Sequence, residues 1–307
     1  MLLVYFCLQS FFWNYTKRYV DTLLLSVTFG LSMSQLIFGA VPETYALAAC
    51  SIITTYILFW ICLQRKKLYF EYWILAGLFS FSVTITNFAQ TLICFIALVF
   101  YLNRKIRWLT ILEYLGVVVS FAFILSIIQK KLFPLARYFF MPSLITTESK
   151  HISTLVFEQP LLIAQEVFKS FFLVNFIAPD PFAANDPDFP GFLLLGYFMR
   201  PLDYSLIGYA GVILLMCLFS LGFLKNIIHY NIFLVAVCCA VVYNMILHSF
   251  FGVTEIFLYS CNVTFPVLLL FFNKSLLKNS YFKIGLVLAI TLMTINNFSI
   301  IKQIISL

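Results

Sequence analysis

The carboxylates, one histidine and one tyrosine of this chain that could move a proton or hold an ion stand apart from its basic clusters. Glu43, in the run Val41, Pro42, Glu43, Thr44, opens a long apolar stretch. A carboxylate held in so short a turn can act as a general base or as a ligand for a divalent cation such as Mg or Mn. A residue at the start of a helix, favoured by the helix dipole, has the same sequence signature. Asp186 and Asp188 form a D-x-D pair, a spacing that can bridge a cation to phosphate, although an Asp-Pro turn reads the same way. His248 ends an apolar run, and Glu255 and Tyr259 follow in the next connection. These three offer a base, an acid and a hydroxyl, or else two satisfied polar contacts and an interfacial anchor. Glu43, His248 and Glu255 are therefore the candidate catalytic residues, and Glu43, Asp186 and Asp188 the candidate metal ligands.

Cations with a different possible task are Arg137, Lys150, His151, Lys169 and Arg200, all in one long segment. Any of them can hold a lipid phosphate, and arginine does so through a planar fork. Asn87 lies in the run Val83, Thr84, Ile85, Thr86, Asn87, Phe88, at the bend of a short apolar hairpin. Asn87, Arg137, Arg200 and Tyr259 are the candidate substrate-binding residues. No P-loop, G-x-S-x-G, HExxH or GxGxxG occurs in a suitable context, so cytosolic nucleotide chemistry and zinc hydrolysis have no support. Glu71 and Glu113 lie just past basic clusters, away from the midplane where a proton-coupled transporter keeps its ionisable groups.

The elements that must position these residues follow from composition. The chain is 63% hydrophobic and 10% charged over 307 residues, against roughly 45 to 50% and 25% for a soluble domain. Long apolar runs without the alternation of barrel strands leave helices as the spanning element. The fold is expected to be all-α, a polytopic integral membrane protein of about nine or ten transmembrane helices. Spans are expected near Leu2–Tyr15, Thr22–Gly39, Thr44–Leu63, Phe70–Ile85, Phe88–Leu102, Trp108–Ile128, Tyr204–Leu224, Tyr230–Phe250, Ile256–Phe272 and Lys283–Ile300. The chain thus divides into membrane helices over 1–129, a long external loop over 130–203, and membrane helices over 204–307. In the loop, Pro160 can start a helix whose Leu161, Leu162, Gln165, Phe168, Phe171 and Phe172 recur at helical spacing, with Glu166 and Lys169 pointing elsewhere. Such a helix would lie in the interface plane. The eight cysteines, almost all within apolar runs and without CxxC spacing, read as small core residues.

The charge of +7 does not point to nucleic acid, because the basic residues sit in short clusters between apolar runs. Strict alternation puts Lys17, Arg18, Arg65, Lys66, Lys67, Arg104, Lys105, Arg107, Lys225, Lys274, Lys278 and Lys283 on one side. The short connections of the other side carry none. The positive-inside rule makes the first side cytoplasmic and places the candidate residues outside.

Leu2 to Trp13 is about 18 Å long as a helix, too short for a roughly 30 Å hydrocarbon core, and Lys17 and Arg18 follow it where a signal peptide would have them precede. The expectation is a chain that begins partway along a helix. Ile37 to Tyr45 (I-F-G-A-V-P-E-T-Y), Val83 to Phe88 and His248 to Tyr259 (H-S-F-F-G-V-T-E-I-F-L-Y) resemble bacterial multi-span glycosyltransferases of the GT-C type. The resemblance covers most of the chain only as topology. It implies a membrane enzyme of the bacterial inner membrane that moves a sugar from a polyprenyl-phosphate donor to an acceptor on the non-cytoplasmic face, often with a metal ion. Glu43 would be its second-loop acid, and the family's principal acid would belong to a first external loop that precedes this chain. A transporter or flippase of lipid-linked saccharides, or a saccharide polymerase or ligase, shares the same layout. For the transporter, Gln35, Asn244 and the Thr84 to Gln90 bend are the polar residues available.

Overall fold

A computed structural model describes residues 2–41, 44–141, 149–185 and 193–306 of the chain. The apolar runs fold into helices α1 (Leu2–Thr16), α2 (Tyr19–Gly30), α3 (Met33–Phe38), α4 (Tyr45–Arg65), α5 (Phe70–Val83), α6 (Ile85–Asn103) and α7 (Trp108–Leu132). After short turns α8 (Leu155–Glu158) and α9 (Pro160–Phe168), the C-terminal part adds α10 (Leu206–Ile228), α11 (Ile232–Phe250), α12 (Ile256–Tyr259), α13 (Thr264–Phe271) and α14 (Ser280–Ser306). Strands β1 (Phe182–Asn185) and β2 (Leu193–Gly196) pair antiparallel, Phe182 opposite Gly196, and are the departure from an all-α fold among the described residues.

Every expected span falls on a helix or a broken helix. Among the described residues, six helices (α4, α6, α7, α10, α11 and α14) are long and apolar enough to cross a membrane alone, and a seventh crossing arises if Val253–Asn262 and Thr264–Phe271, bent by 67°, count as one. The expected nine or ten crossings would need the short apolar helices too, and α2 and α5 have 12 and 14 residues, about 18 and 21 Å. The α5–α6 hairpin turns on Thr84 alone. Its hydroxyl caps α6 by accepting from the Thr86 amide at 3.1 Å, while Trp73 and Phe95 stack edge to face at 5.4 Å across the pair.

Basic residues close three helices at one end of the bundle. Lys17, Lys66 and Arg104 take left-handed φ values of 57°, 50° and 59°. Glycine usually fills this position, and a basic side chain there offsets part of the steric cost by facing the negative end of the helix dipole. At the same end Asp21, buried at the start of α2, lies 2.8 Å from Lys283 at the start of α14 and 3.6 Å from Arg18. Further in, Phe11, Tyr56, Phe59, Phe233 and Phe265 interlock α1, α4, α11 and α13, with Phe11 and Phe265 at 5.2 Å. Gly222 lets α10 press against the end of α13, where an added Cβ would fall 1.5 Å from the Phe271 carbonyl.

The segment 130–203 is partly built into the bundle. Pro160 does start α9, but the face that meets the bundle is Ile163, Val167 and Phe171, and Leu161, Gln165 and Phe168 are exposed. Glu166 and Lys169 are buried, not turned outward. From Lys169 to Val174 the chain winds as a π-helix and then dives into the bundle, so that Phe176, Ile177 and Ala178 are fully buried.

Three breaks meet here: the α2–α3 joint, the inserted segment after Asn175, and the α12–α13 bend. Backbone freed by a break at membrane depth must find partners in protein, and here asparagines provide them. Asn297 of α14 donates to the carbonyls of Leu31 (2.9 Å) and Phe176 (2.7 Å) and accepts from the Ala178 amide (3.2 Å). Asn296 donates to the Ala178 carbonyl at 2.8 Å. Asn175 accepts from Ser34 and Thr264, and Gln35 reaches the Cys261 carbonyl at 3.0 Å. The amides of Met33 and Ser34, first in α3, bond to the carbonyls of Phe176 and Asn175.

Candidate functional site

At the end of the bundle opposite the basic clusters, a cavity of about 290 Å3 lies between the inserted segment and the α11–α12 connection. Its walls include Phe38, Ser170, Tyr197, Thr254, Glu255 and Phe257. The local sequence explains how Glu255 arrives there. Gly252 adopts φ 61°, its amide donates to the His151 carbonyl at 2.9 Å, and an added Cβ would come within 2.5 Å of the Tyr259 ring. A 3-10 turn over Val253–Glu255 follows, pinned by buried Val253 and Ile256 on either side of exposed Thr254 and Glu255. No cation lies within ion-pairing distance of Glu255 among the described residues. The carboxylate is therefore free to accept a proton or bind a ligand in the cavity.

The opposite wall is held by a buried ion pair. Lys169 Nζ donates to Glu166 at 2.6 Å, to the Tyr197 carbonyl at 2.8 Å and to the Arg200 carbonyl at 3.1 Å, while the Met199 amide donates to Glu166 at 3.0 Å. The clamp holds Met199 at φ 52°, a left-handed conformation costly for its side chain. It also seats Tyr197, whose ring packs edge to face on Phe257 at 5.3 Å. Burial, and secondly the charge of Asp180, push the Tyr197 phenol above its usual range. Tyr197 is thus a neutral hydroxyl over all ordinary pH, suited to hydrogen bonding and not to proton abstraction.

The expected site residues are dispersed. His248 and Tyr259 do meet, stacked at 4.3 Å with rings 18° apart, but His248 is buried beneath Tyr259 and against Phe171 and does not line the cavity. Its Nδ1 stands 3.2 Å from the Phe251 carbonyl, so that nitrogen carries the proton. Asn87 lies inside α6, bonded to the Ala48 carbonyl and the Ser51 hydroxyl at 3.2 Å each, well within the α4–α6 contact. Arg137 borders a separate pocket with Ser82 and Gln129 beside α5 and α7. Arg200 is nearer: its guanidinium stacks 3.8 Å over Phe182, and it borders a groove beside Glu166 and Lys169. Lys169 itself is fully engaged in the clamp and is not available to a phosphate.

Glu43, Asp186 and Asp188 lie outside the described residues. Their sequence neighbours do bear on the site: Phe38 and Tyr45, either side of Glu43, pack with tilted rings at 5.0 Å, and Phe38 also packs on Phe257 at 5.3 Å. Among the described residues no three His, Cys, Asp or Glu side chains converge as a metal centre would require. Two features escaped the sequence reading. Asp21 was legible as an acid one turn past a basic pair, and Glu166 with Lys169 as an i, i+3 pair of opposite charge. No protein family, characterised protein or solved structure matches the chain, so the site stands on its own geometry.

Proposed function

We propose that this multi-pass membrane protein transfers a sugar from a polyprenyl-phosphate donor to an acceptor on the non-cytoplasmic face of a bacterial inner membrane, with the Glu255 cavity as its reaction site. The supporting observation is an unpaired carboxylate in a walled cavity at the end of the bundle opposite Lys17, Arg65 and Lys274. In this reading Glu255 takes the proton of an acceptor hydroxyl as its oxygen bonds to the anomeric carbon. The bond from that carbon to the phosphate oxygen breaks, and the lipid phosphate leaves with the electron pair, its charge met by Arg200. A divalent cation on Glu43, Asp186 and Asp188 belongs to the same proposal. Replacing Glu255 with Gln is expected to lower transfer from a labelled polyprenyl-phosphate sugar about a hundredfold or more with the protein still folded; undiminished transfer sinks the proposal.

A second reading, translocation of a lipid-linked saccharide, draws on the breaks in α2–α3 and α12–α13, since transporters bind substrate at discontinuous helices. Against it, the side chains at the breaks are buried and bond to one another and to the freed backbone. Movement of labelled lipid-linked saccharide across vesicles, unaffected by Glu255→Gln, would favour this reading.

A further inference from the structure

The opposite end of the molecule holds a second cavity, of about 530 Å3, that the sugar-transfer proposal does not use. Three cations from three separate elements border it: Lys17 after α1, Arg65 at the end of α4, and Lys274 after α13. All three are exposed, and none has a carboxylate within ion-pairing distance among the described residues. At this end Asp21 neutralises Arg18 and Lys283, and among the described residues no acid does the same for these three. Three like charges left facing one concavity repel one another and lower its energy only when an anion enters.

The rest of the lining narrows the ligand. Tyr15 and Trp60, edge to face at 5.1 Å, form part of the wall, and Asn14, whose side-chain oxygen accepts from Lys17 Nζ at 3.0 Å, borders the rim. Aromatic rings below and cations above is the order of a membrane interface, with ring at headgroup depth and charge toward water. The volume lies within the range of small-ligand sites, about 300 to 1,000 Å3. Sidedness supplies the source. The basic clusters mark the cytoplasmic end, where the leaflet is rich in anionic lipid and basic pockets between helices take phosphate headgroups.

We propose that this cavity binds the phosphate of an anionic lipid headgroup in the cytoplasmic leaflet, held by Lys17, Arg65 and Lys274. The test uses the purified full chain in neutral detergent, titrated with phosphatidylglycerol, phosphatidylcholine or inorganic phosphate, and read by native mass spectrometry and melting temperature. Phosphatidylglycerol is expected to be retained and to raise the melting temperature, and phosphatidylcholine is not. Lys17→Gly keeps the left-handed backbone at that position, so the triple variant Lys17→Gly, Arg65→Gln, Lys274→Gln is expected to melt normally without lipid. It should bind phosphatidylglycerol about a hundredfold more weakly, from about 1 kcal/mol per cation. Lys105→Gln, a cation of the same end outside the cavity, should bind as the parent does. If the triple variant does not fold, Lys274→Gln alone must weaken binding about fivefold. Equal retention of both lipids, or retention unchanged in the variants, overturns the proposal. Protection by inorganic phosphate with none by phosphatidylglycerol overturns the lipid source and assigns the cavity to a soluble phosphate.

Discussion

Lys169 and Glu166, one turn apart and both buried, form an ion pair at 2.6 Å that also fastens the carbonyls of Tyr197 and Arg200. A buried pair stabilises little by itself, but removing one partner strands the other without solvent. Lys169→Met is therefore expected to cost about 3 kcal/mol or more, and the double variant Glu166→Gln, Lys169→Met clearly less than the sum of the singles. Melting temperatures of the three variants in one detergent check this; additive losses would show that the two side chains act independently.

Gly222 and Gly116 make a contrasting pair. An added Cβ at Gly222 meets the Phe271 carbonyl at 1.5 Å, whereas at Gly116 nothing lies within 4 Å. Gly222→Ala is expected to separate α10 from α13 and lower stability by about 3 kcal/mol, and Gly116→Ala to be neutral or slightly stabilising. Folded yield and melting temperature of the two variants measure the difference.

Asn297→Leu removes two donated bonds and one accepted bond while keeping a side chain branched at Cγ. The Leu31 carbonyl and the Ala178 amide are left unpaired, while the Phe176 carbonyl keeps the Met33 amide, at a cost of about 2 kcal/mol. Faster hydrogen exchange at Ala178 in the variant would locate the loss; unchanged exchange would mean that water replaces the amide.

Alkaline pH should weaken the fold. Burial raises the phenols of Tyr197 and Tyr204 above their ordinary range, aided in Tyr197 by Asp180 and in Tyr204 by neighbouring phenols. A tyrosine whose folded pKa exceeds its unfolded value contributes stability that is complete below the unfolded value, near pH 10, and is lost as pH rises toward the folded one. Stability is expected to be flat in this respect up to about pH 9 and to decline above about pH 10. Tyr197→Phe should lessen the slope of melting temperature against pH in that window.

Sidedness has a direct check. In a chain whose native cysteines are replaced, Thr254→Cys and Lys105→Cys, both at exposed positions, are expected to react with an impermeant thiol reagent from opposite faces of the membrane. Labelling from the same face would undo both the outer cavity and the inner phosphate site.

Much of the helical layout was legible because apolar runs bounded by basic residues report span and orientation together. The inserted segment was not, since Phe171 to Ala178 is too short to span and too apolar to distinguish from an interfacial stretch. The stripe Leu161, Gln165, Phe168 of α9 is exposed, as a helix in the interface plane would leave it, and the bundle takes Ile163 and Val167 on the side of the buried ion pair. Of the candidate site, the turn carrying Glu255 and Tyr259 was readable from Gly252 and its flanking apolar residues. For Asn87 and His248 the sequence could not choose between a site role and a packing contact, because a polar side chain bonded to a neighbouring helix has the same sequence signature as one awaiting a substrate. Gln35, Asn175, Thr264 and Asn297 each look isolated in the sequence, and only the three breaks bring them together.

The last helix finishes what the second leaves open. Asn297 binds the carbonyl of Leu31 across 266 positions of sequence, so during synthesis the joint between α2 and α3 emerges long before its partner exists. Until α14 arrives, that carbonyl must be satisfied by water or by the insertion machinery. Ribosomes halted before residue 296 should therefore carry nascent chains whose early helices are inserted but whose midsection remains open to proteases, and release of the final turns should close it in one step.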